Sequence, residues 1–133
     1  MMGPSDILAQ AEDQDRGKWF QLMHPVTGAA VGISLLVTGP DSRKTAEVSA
    51  LLVDDLAEAA DELGRVRGAA RAEAHRRALA RRVLDWKAEE EGKPVPFSYA
   101  AMLRLLAVGW VQSQLDTFCG ARAPWFGGDD AEA

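Results

Sequence analysis

A chain of 133 residues and 14.3 kDa, 47% hydrophobic and 26% charged, has the size and composition of one domain with one core. It contains no run of about 18 apolar residues, so no helix is expected to span a membrane, and its acidic start, MMGPSDILAQAEDQ, does not read as a secretory signal. A lone Cys119 excludes an intrachain disulfide and points to a reducing compartment, and a net charge of -5 argues against general affinity for nucleic acid.

Residues 1–17 carry few large apolar groups and no steady period, and they read as a flexible arm with at most a frayed turn around Ile7–Ala11. From Lys18 the texture changes. Trp19, Phe20, Leu22 and Met23 are strand-like, and His24-Pro25-Val26-Thr27-Gly28 supplies turn chemistry. A second apolar run to Thr38 alternates Val31, Ile33, Leu35 and Val37 on one face, so residues 18–38 read as a β-hairpin. A lone hairpin is marginal in water and must pack on helices or on another chain.

Gly39-Pro40 ends the second strand, and Asp41 or Ser42 is a ready N-cap. Residues 42–87 read as a long helical region. Val48, Leu52, Leu56, Ala59 and Leu63 form one stripe; Ala69, Ala72, Leu79, Val83 and Trp86 form another, with Arg76 at the missing step. Arg67, Arg71, Arg77, Arg81 and Arg82 fall broadly opposite that second stripe. Asp54–Glu62 holds five acids and no base, whereas Arg65–Arg82 holds seven arginines and one acid, Glu73. An antiparallel pair turning near Gly64 and one long helix both fit, and a break at Gly64–Gly68 is the preferred reading. Glu89-Glu90-Glu91-Gly92-Lys93-Pro94-Val95-Pro96 reads as a loop. A C-terminal helical cap covers 97–126: a short helix capped by Ser98, then one from Trp110 to about Ala121 with Val111, Leu115 and Phe118 inward. Residues 127–133 read as a flexible acidic tail. The fold class expected is therefore α+β, mainly helical.

The aromatics are unevenly placed. Trp19 and Phe20 are followed by none until Trp86, and seven of the nine lie between Trp86 and Phe126. Trp86, Phe97, Tyr99, Trp110 and Phe118 sit at spacings that favour a core over a pocket. Trp125 and Phe126 lie past the last helix signal, either folded back as a clasp or exposed as an anchor for a partner.

Catalytic chemistry does not assemble on paper. His24 before a proline reads as a turn residue, and His75 among arginines as solvated or salt-linked. Cys119 between Phe118 and Gly120 reads as a small buried hydrophobe. Thr38-Gly39-Pro40-Asp41-Ser42 lacks the glycine spacing and Gly-Lys-Ser/Thr ending of a phosphate loop. No catalytic residue, cofactor or metal is expected. The arginine block is the remaining charged feature, facing nucleic-acid phosphates, an acidic protein, or the acidic block of its own chain; no aromatic interleaves with it, which weakens the first.

The order of short motifs resembles the tail assembly chaperones of tailed phages. An aromatic strand, His24-Pro25-Val26-Thr27-Gly28, a short apolar strand and Gly39-Pro40-Asp41-Ser42 opening a helix are similar to the start of that family, which carries a DPxTG turn and a G-x-D-S helix entry. Leu84-Asp85-Trp86 followed by Glu91-Gly92-Lys93-Pro94-Val95-Pro96-Phe97-Ser98 resembles its tryptophan and Gly-Lys-Pro segment. Trp110-Val111-Gln112-Ser113-Gln114-Leu115-Asp116 with Ala121-Arg122-Ala123-Pro124-Trp125-Phe126 resembles its closing helix and terminal aromatic. The departures are His24 where an acid is commoner, Pro124-Trp125 near the end, and the arginine- and alanine-rich middle.

The resemblance implies a protein that is not an enzyme and needs no cofactor. Its partner would be the helical tape-measure protein, kept soluble while tail-tube subunits are recruited, in the host cytoplasm and outside the mature virion. A homo-oligomer and a longer frameshifted form belong to the same expectation. The partner-binding residues expected are Arg67, Arg71, Arg77, Arg81, Arg82, Trp125 and Phe126. The alternatives are a structural tail or connector subunit of the virion, and a small nucleic-acid-binding regulator using the Arg65–Arg82 face.

Overall fold

The computed structural model describes residues 2–126; the expected acidic tail at 127–133 lies outside them. The order of elements is α1 (Pro4–Arg16), β1 (Lys18–Met23), β2 (Ala30–Val37), α2 (Arg43–Ala59), α3 (Gly68–Arg81), β3 (Val83–Lys87), β4 (Glu89–Glu90), β5 (Lys93–Pro94), α4 (Tyr99–Leu105) and α5 (Gly109–Gly120), closed by a 3-10 turn, Ala123–Trp125. The α+β, mainly helical class is as expected: the described residues form five helices and a small antiparallel sheet.

The hairpin forms as its alternation predicts, β1 pairing antiparallel with β2 from Lys18 opposite Val37 to Met23 opposite Ala30. His24 is a turn residue. Its Nδ1 accepts the amides of Val26 and Thr27, both at 3.2 Å, while its own amide donates to the Ala29 carbonyl at 2.7 Å.

A hairpin edge still carries a row of unpaired backbone groups. The chain resolves this on one side by adding β3 antiparallel to β2, giving the order β1-β2-β3 with Leu35 opposite Trp86 and Val37 opposite Val83. This corrects the helical reading of residues 83–87. Val83 and Trp86 are three apart, a spacing one helical turn also satisfies, and five residues are too few for period to decide.

The middle of the chain is two helices, not one, packed antiparallel. Leu52 and Leu56, late in α2, line the same groove as Gly68 and Ala72, early in α3, whereas Val48 lines a recess with Ala78 and Leu79, late in α3. Ser42 caps α2, its Oγ accepting the Thr45 amide at 3.0 Å. The helix stops at Ala59, before the expected turn at Gly64. Asp61 takes over there, its carboxylate accepting the backbone amides of Leu63 and Arg65, both at 2.9 Å, which closes a turn instead of another helical turn. Leu63 is thereby removed from the stripe and left 75% exposed.

The inward stripe of α3 also differs from expectation. Ala74, Ala78 and Leu79 are buried, while Ala69 and Ala72 are exposed. Continuing the four-residue step from Ala74 and Ala78 arrives at Arg82, which is buried too.

The stretch at 89–96 contains a two-stranded ribbon, Glu89 opposite Pro94 and Glu90 opposite Lys93. Its turn residues, Glu91 and Gly92, both have positive φ (51° and 78°), the signature of a two-residue hairpin turn. Ser98 caps α4 through the Ala101 amide at 3.0 Å, and Val111, Leu115 and Cys119 of α5 face inward.

Leu22, Leu35, Val37, Leu79, Val83, Met102, Leu106, Val111, Leu115 and Cys119 share one core. The distant aromatic groups meet in it. Phe20 stacks on Phe118 with ring centroids 4.7 Å apart, and Trp86 sits edge-on to Phe97 at 5.5 Å while its indole N–H donates to the Val95 carbonyl at 2.8 Å.

Residues 4–16, expected to be a flexible arm, are helical. Gln14 is fully buried, accepting the Asp41 amide at 2.7 Å through Oε1 and donating to Gln10 Oε1 at 2.7 Å. The Gly39 amide donates to the Gln14 carbonyl at 3.0 Å. A Cβ at position 39 would fall inside the van der Waals shell of the Gln14 carboxamide, so glycine is what permits this docking. The contact is polar, which is why a search for apolar stripes passes over the helix.

Candidate functional site

The seven arginines of the middle region divide into those whose charge is used inside the chain and those whose charge is open. Arg65 pairs with Asp61 at 3.0 Å, and Arg77 with Glu73 at 3.4 Å. Arg76 also pairs with Glu73. Arg81 donates to Asp55 at 2.9 Å across the α2–α3 contact, both side chains mostly shielded. Part of the acidic block and part of the basic block thus neutralise each other.

Arg82 is 9% exposed and does not belong on the surface where the sequence placed it. One terminal nitrogen donates to the Cys119 carbonyl at 3.0 Å, and the other to the Thr38 carbonyl at 2.7 Å. In return the Thr38 amide donates to the Arg82 carbonyl at 3.0 Å. The guanidinium therefore ties the end of β2 and the end of α3 to the last turn of α5. Burial lowers the pKa of this arginine, with the neighbouring Cys119 and Asp116 acting in the other direction. Charge-assisted hydrogen bonds to two carbonyls offset part of the desolvation cost.

Cys119 is buried beside it, and burial pushes its thiol from 9.0 up to about 11. A thiol held protonated to that degree is a packing group. His75 is linked to Asp116 at 3.5 Å, joining α3 to α5. Among the described residues, no three His, Cys, Asp or Glu side chains stand close enough together to hold a metal ion. No described helix is long and apolar enough to cross a membrane.

Trp125 is folded back as a clasp. Its carbonyl accepts from Gln10 Nε2 at 2.6 Å, and Lys18 Nζ lies 5.6 Å from the centre of its ring, so it bridges α1 and β1. Arg122, two residues before Pro124, holds Asp41 through two bonds of 2.9 Å. The Arg122 guanidinium keeps the Asp41 carboxyl below the usual carboxylate range. Phe126, the next residue on, is 51% exposed. The expected partner residues are therefore not one patch: Arg82 and Trp125 serve the fold, Arg77 and Arg81 are paired, and Arg67, Arg71 and Phe126 face solvent.

Two apolar grooves flank α5. One, of about 490 Å³, lies against edge strand β1 and is lined by Phe20, Met23, Phe118 and Ala121. Gln114 closes over its strand, accepting the Met23 amide at 2.9 Å and donating to the Met23 carbonyl at 2.7 Å. This side chain occupies the position a neighbouring strand would take, and it blunts the edge there. The second groove, of about 500 Å³, runs between α2, α3 and α5 and includes Leu52, Leu56, Ala72 and Gln112, with Arg71 beside them. Sequence patterning missed both grooves because each combines residues far apart in the chain. Leu52 and Leu56 are legible as core-facing, but their leftover exposure on the α5 side is not. No family model matches the sequence, and no curated protein or solved structure has detectable similarity to the chain.

Proposed function

We propose that this protein is a tail assembly chaperone of a tailed bacteriophage or prophage. It binds the tape-measure protein in the host cytoplasm, helps recruit tail-tube subunits, and is left out of the mature virion. It works by binding and release, without a cofactor or a reaction of its own.

The observation that carries this reading is the order of short motifs from Trp19 to Phe126. Its physical support is that those motifs do architectural work. His24-Pro25-Val26-Thr27-Gly28 makes the β1–β2 turn, Ser42 and Ser98 cap α2 and α4, and Trp125 closes the C-terminus onto α1 and β1. A chaperone for a long helical partner needs shallow apolar surface and many modest contacts, so that release stays possible. Two apolar grooves of about 500 Å³ or less beside α5 meet that need.

Among the alternatives, a nucleic-acid regulator would need a continuous cationic face. Arg65, Arg76, Arg77 and Arg81 are each engaged by a carboxylate and Arg82 is interior, which leaves a face too sparse for that role. Co-expression with a tape-measure protein from the same genome tests the proposal. The expected result is a large gain in that protein's solubility together with co-purification. Presence of the chain at fixed copy number in purified particles would instead identify a virion subunit.

A further inference from the structure

The groove between α2, α3 and α5 has an uneven chemistry. It is lined by Leu52 and Leu56 of α2, by Gly68, Arg71, Ala72 and His75 of α3, and by Gln112 of α5. Gly68 and Ala72 carry no more than a methyl group, so at those two positions a third element can come close to α3. Arg71 lines the groove, and Arg67, the exposed N-cap residue of α3, stands four residues earlier in the chain, one residue before Gly68 of the groove lining. Unlike Arg65, Arg76, Arg77 and Arg81, neither has a carboxylate within 4.0 Å among the described residues. Beyond Arg71, at the same step, His75 is engaged by Asp116.

We propose that this groove docks an amphipathic helix of the partner, leucine-type side chains resting on Leu52, Leu56 and Ala72 and carboxylates meeting Arg67 and Arg71. Two arguments select this occupant. The walls are helix faces and offer side chains only, so an extended segment would lose its backbone hydrogen bonds to water without replacement; a helix brings its own. Two open guanidiniums beside apolar surface favour an occupant that is apolar along one stripe and acidic along its flank. A second copy of the chain fits less well. Its acidic α2 exposes Leu51 and Val53, which are two residues apart and so on different helical faces, and its α1 exposes only Ile7 and Leu8, about one turn. That the partner is the tape-measure protein rests on the chaperone reading; the chemistry of the groove does not.

The test has two arms, run with the full chain, Arg67→Glu/Arg71→Glu, Ala72→Trp, and Arg43→Glu as a control at the far end of α2. All three altered positions in the groove variants are exposed, so melting temperatures should stay within about 2 °C of the parent chain. In the first arm, co-expressed tape-measure protein is captured. The groove variants should cut the captured amount at least tenfold and the control less than twofold. In the second, fluorescence anisotropy compares two designed 21-residue helices with identical leucine spacing, one flanked by glutamates and one by lysines. The chain should prefer the acidic helix at least tenfold and lose that preference on Arg67→Glu/Arg71→Glu. Absence of a preference, or an equal loss in Arg43→Glu, overturns the groove proposal whatever the first arm gives. A preference without any capture of tape-measure protein overturns only the chaperone reading. Light scattering that shows a dimer abolished by Arg67→Glu/Arg71→Glu would give the groove to a second copy, and duplex DNA or RNA binding abolished by the same change would give it to nucleic acid; either result overturns the proposal.

Discussion

The two ends of α3 use the same residue type in opposite ways. At its start, Arg67 and Arg71 lie exposed without a carboxylate within 4.0 Å among the described residues, Arg71 beside an apolar groove; at its close, Arg81 is paired across to Asp55 and Arg82 is interior. What separates them is what the neighbouring elements bring near. The end of the helix runs into the sheet and the last turn of α5, where carbonyls of Thr38 and Cys119 are turned inward, whereas its start stands over the wide connection from α2. A block of arginines is thus a composition, and the packing around it distributes the roles.

The largest effect expected from breaking this comparison is at Arg82. Arg82→Ala leaves the Thr38 and Cys119 carbonyls buried without their donors, at about 1 to 3 kcal/mol for each unsatisfied group. A loss near 3 kcal/mol in urea unfolding is expected, and Arg82→Lys should recover only part of it, since one ammonium lacks the fork that reaches both carbonyls. A change below about 0.5 kcal/mol would show that Arg82 is no more important to the fold than its exposed relatives.

Cys119 gives a pH-dependent view of the same corner. Its thiol is raised from 9.0 to about 11, so between those values the unfolded chain has released a proton that the folded chain still holds. The unfolded state binds fewer protons there, and stability must fall as pH rises, by about 2 to 3 kcal/mol over the two units. Below pH 9 the contribution of this thiol is flat. Cys119→Ala should remove that part of the slope, measured as the difference between the two unfolding curves from pH 8.5 to 11.

Local chemistry in the sequence identified the hairpin, its His24-Pro25 turn and the serine that caps α4, and narrowed the cap of α2 to Asp41 or Ser42, because each is decided within a few residues. The elements that escaped are those decided across the chain. Helix α1 depends on Gln14 fitting against Gly39, and β3 on the open edge of β2. Arg82 is the instructive miss. Its spacing from Ala74 and Ala78 places it on the buried stripe, but a stripe drawn through Arg76, Leu79, Val83 and Trp86 runs along a neighbouring face and sends Arg82 to solvent. The Arg67–Arg71 groove escaped for a different cause: it exists only once α2, α3 and α5 are assembled.

Arg81 and Asp55 supply the intermediate case and the smallest of these effects. Their ion pair spans α2 and α3 at 2.9 Å with side chains 24% and 21% exposed, shielded enough to escape part of the screening that weakens a surface pair. A double-mutant cycle of Arg81→Ala and Asp55→Ala should give a coupling of about 1 kcal/mol, against less than about 0.5 kcal/mol for the exposed Arg65–Asp61 pair. The ranking matters more than either value. If the coupling rises with burial, the charge blocks of α2 and α3 fasten the helices to each other only where Arg81 closes α3, and the start of α3 remains available to something outside the chain. Equal couplings would mean that the acidic and basic blocks act as a diffuse field, in which case Arg67 and Arg71 are balanced by it as well and the distinction between the two ends of the helix disappears.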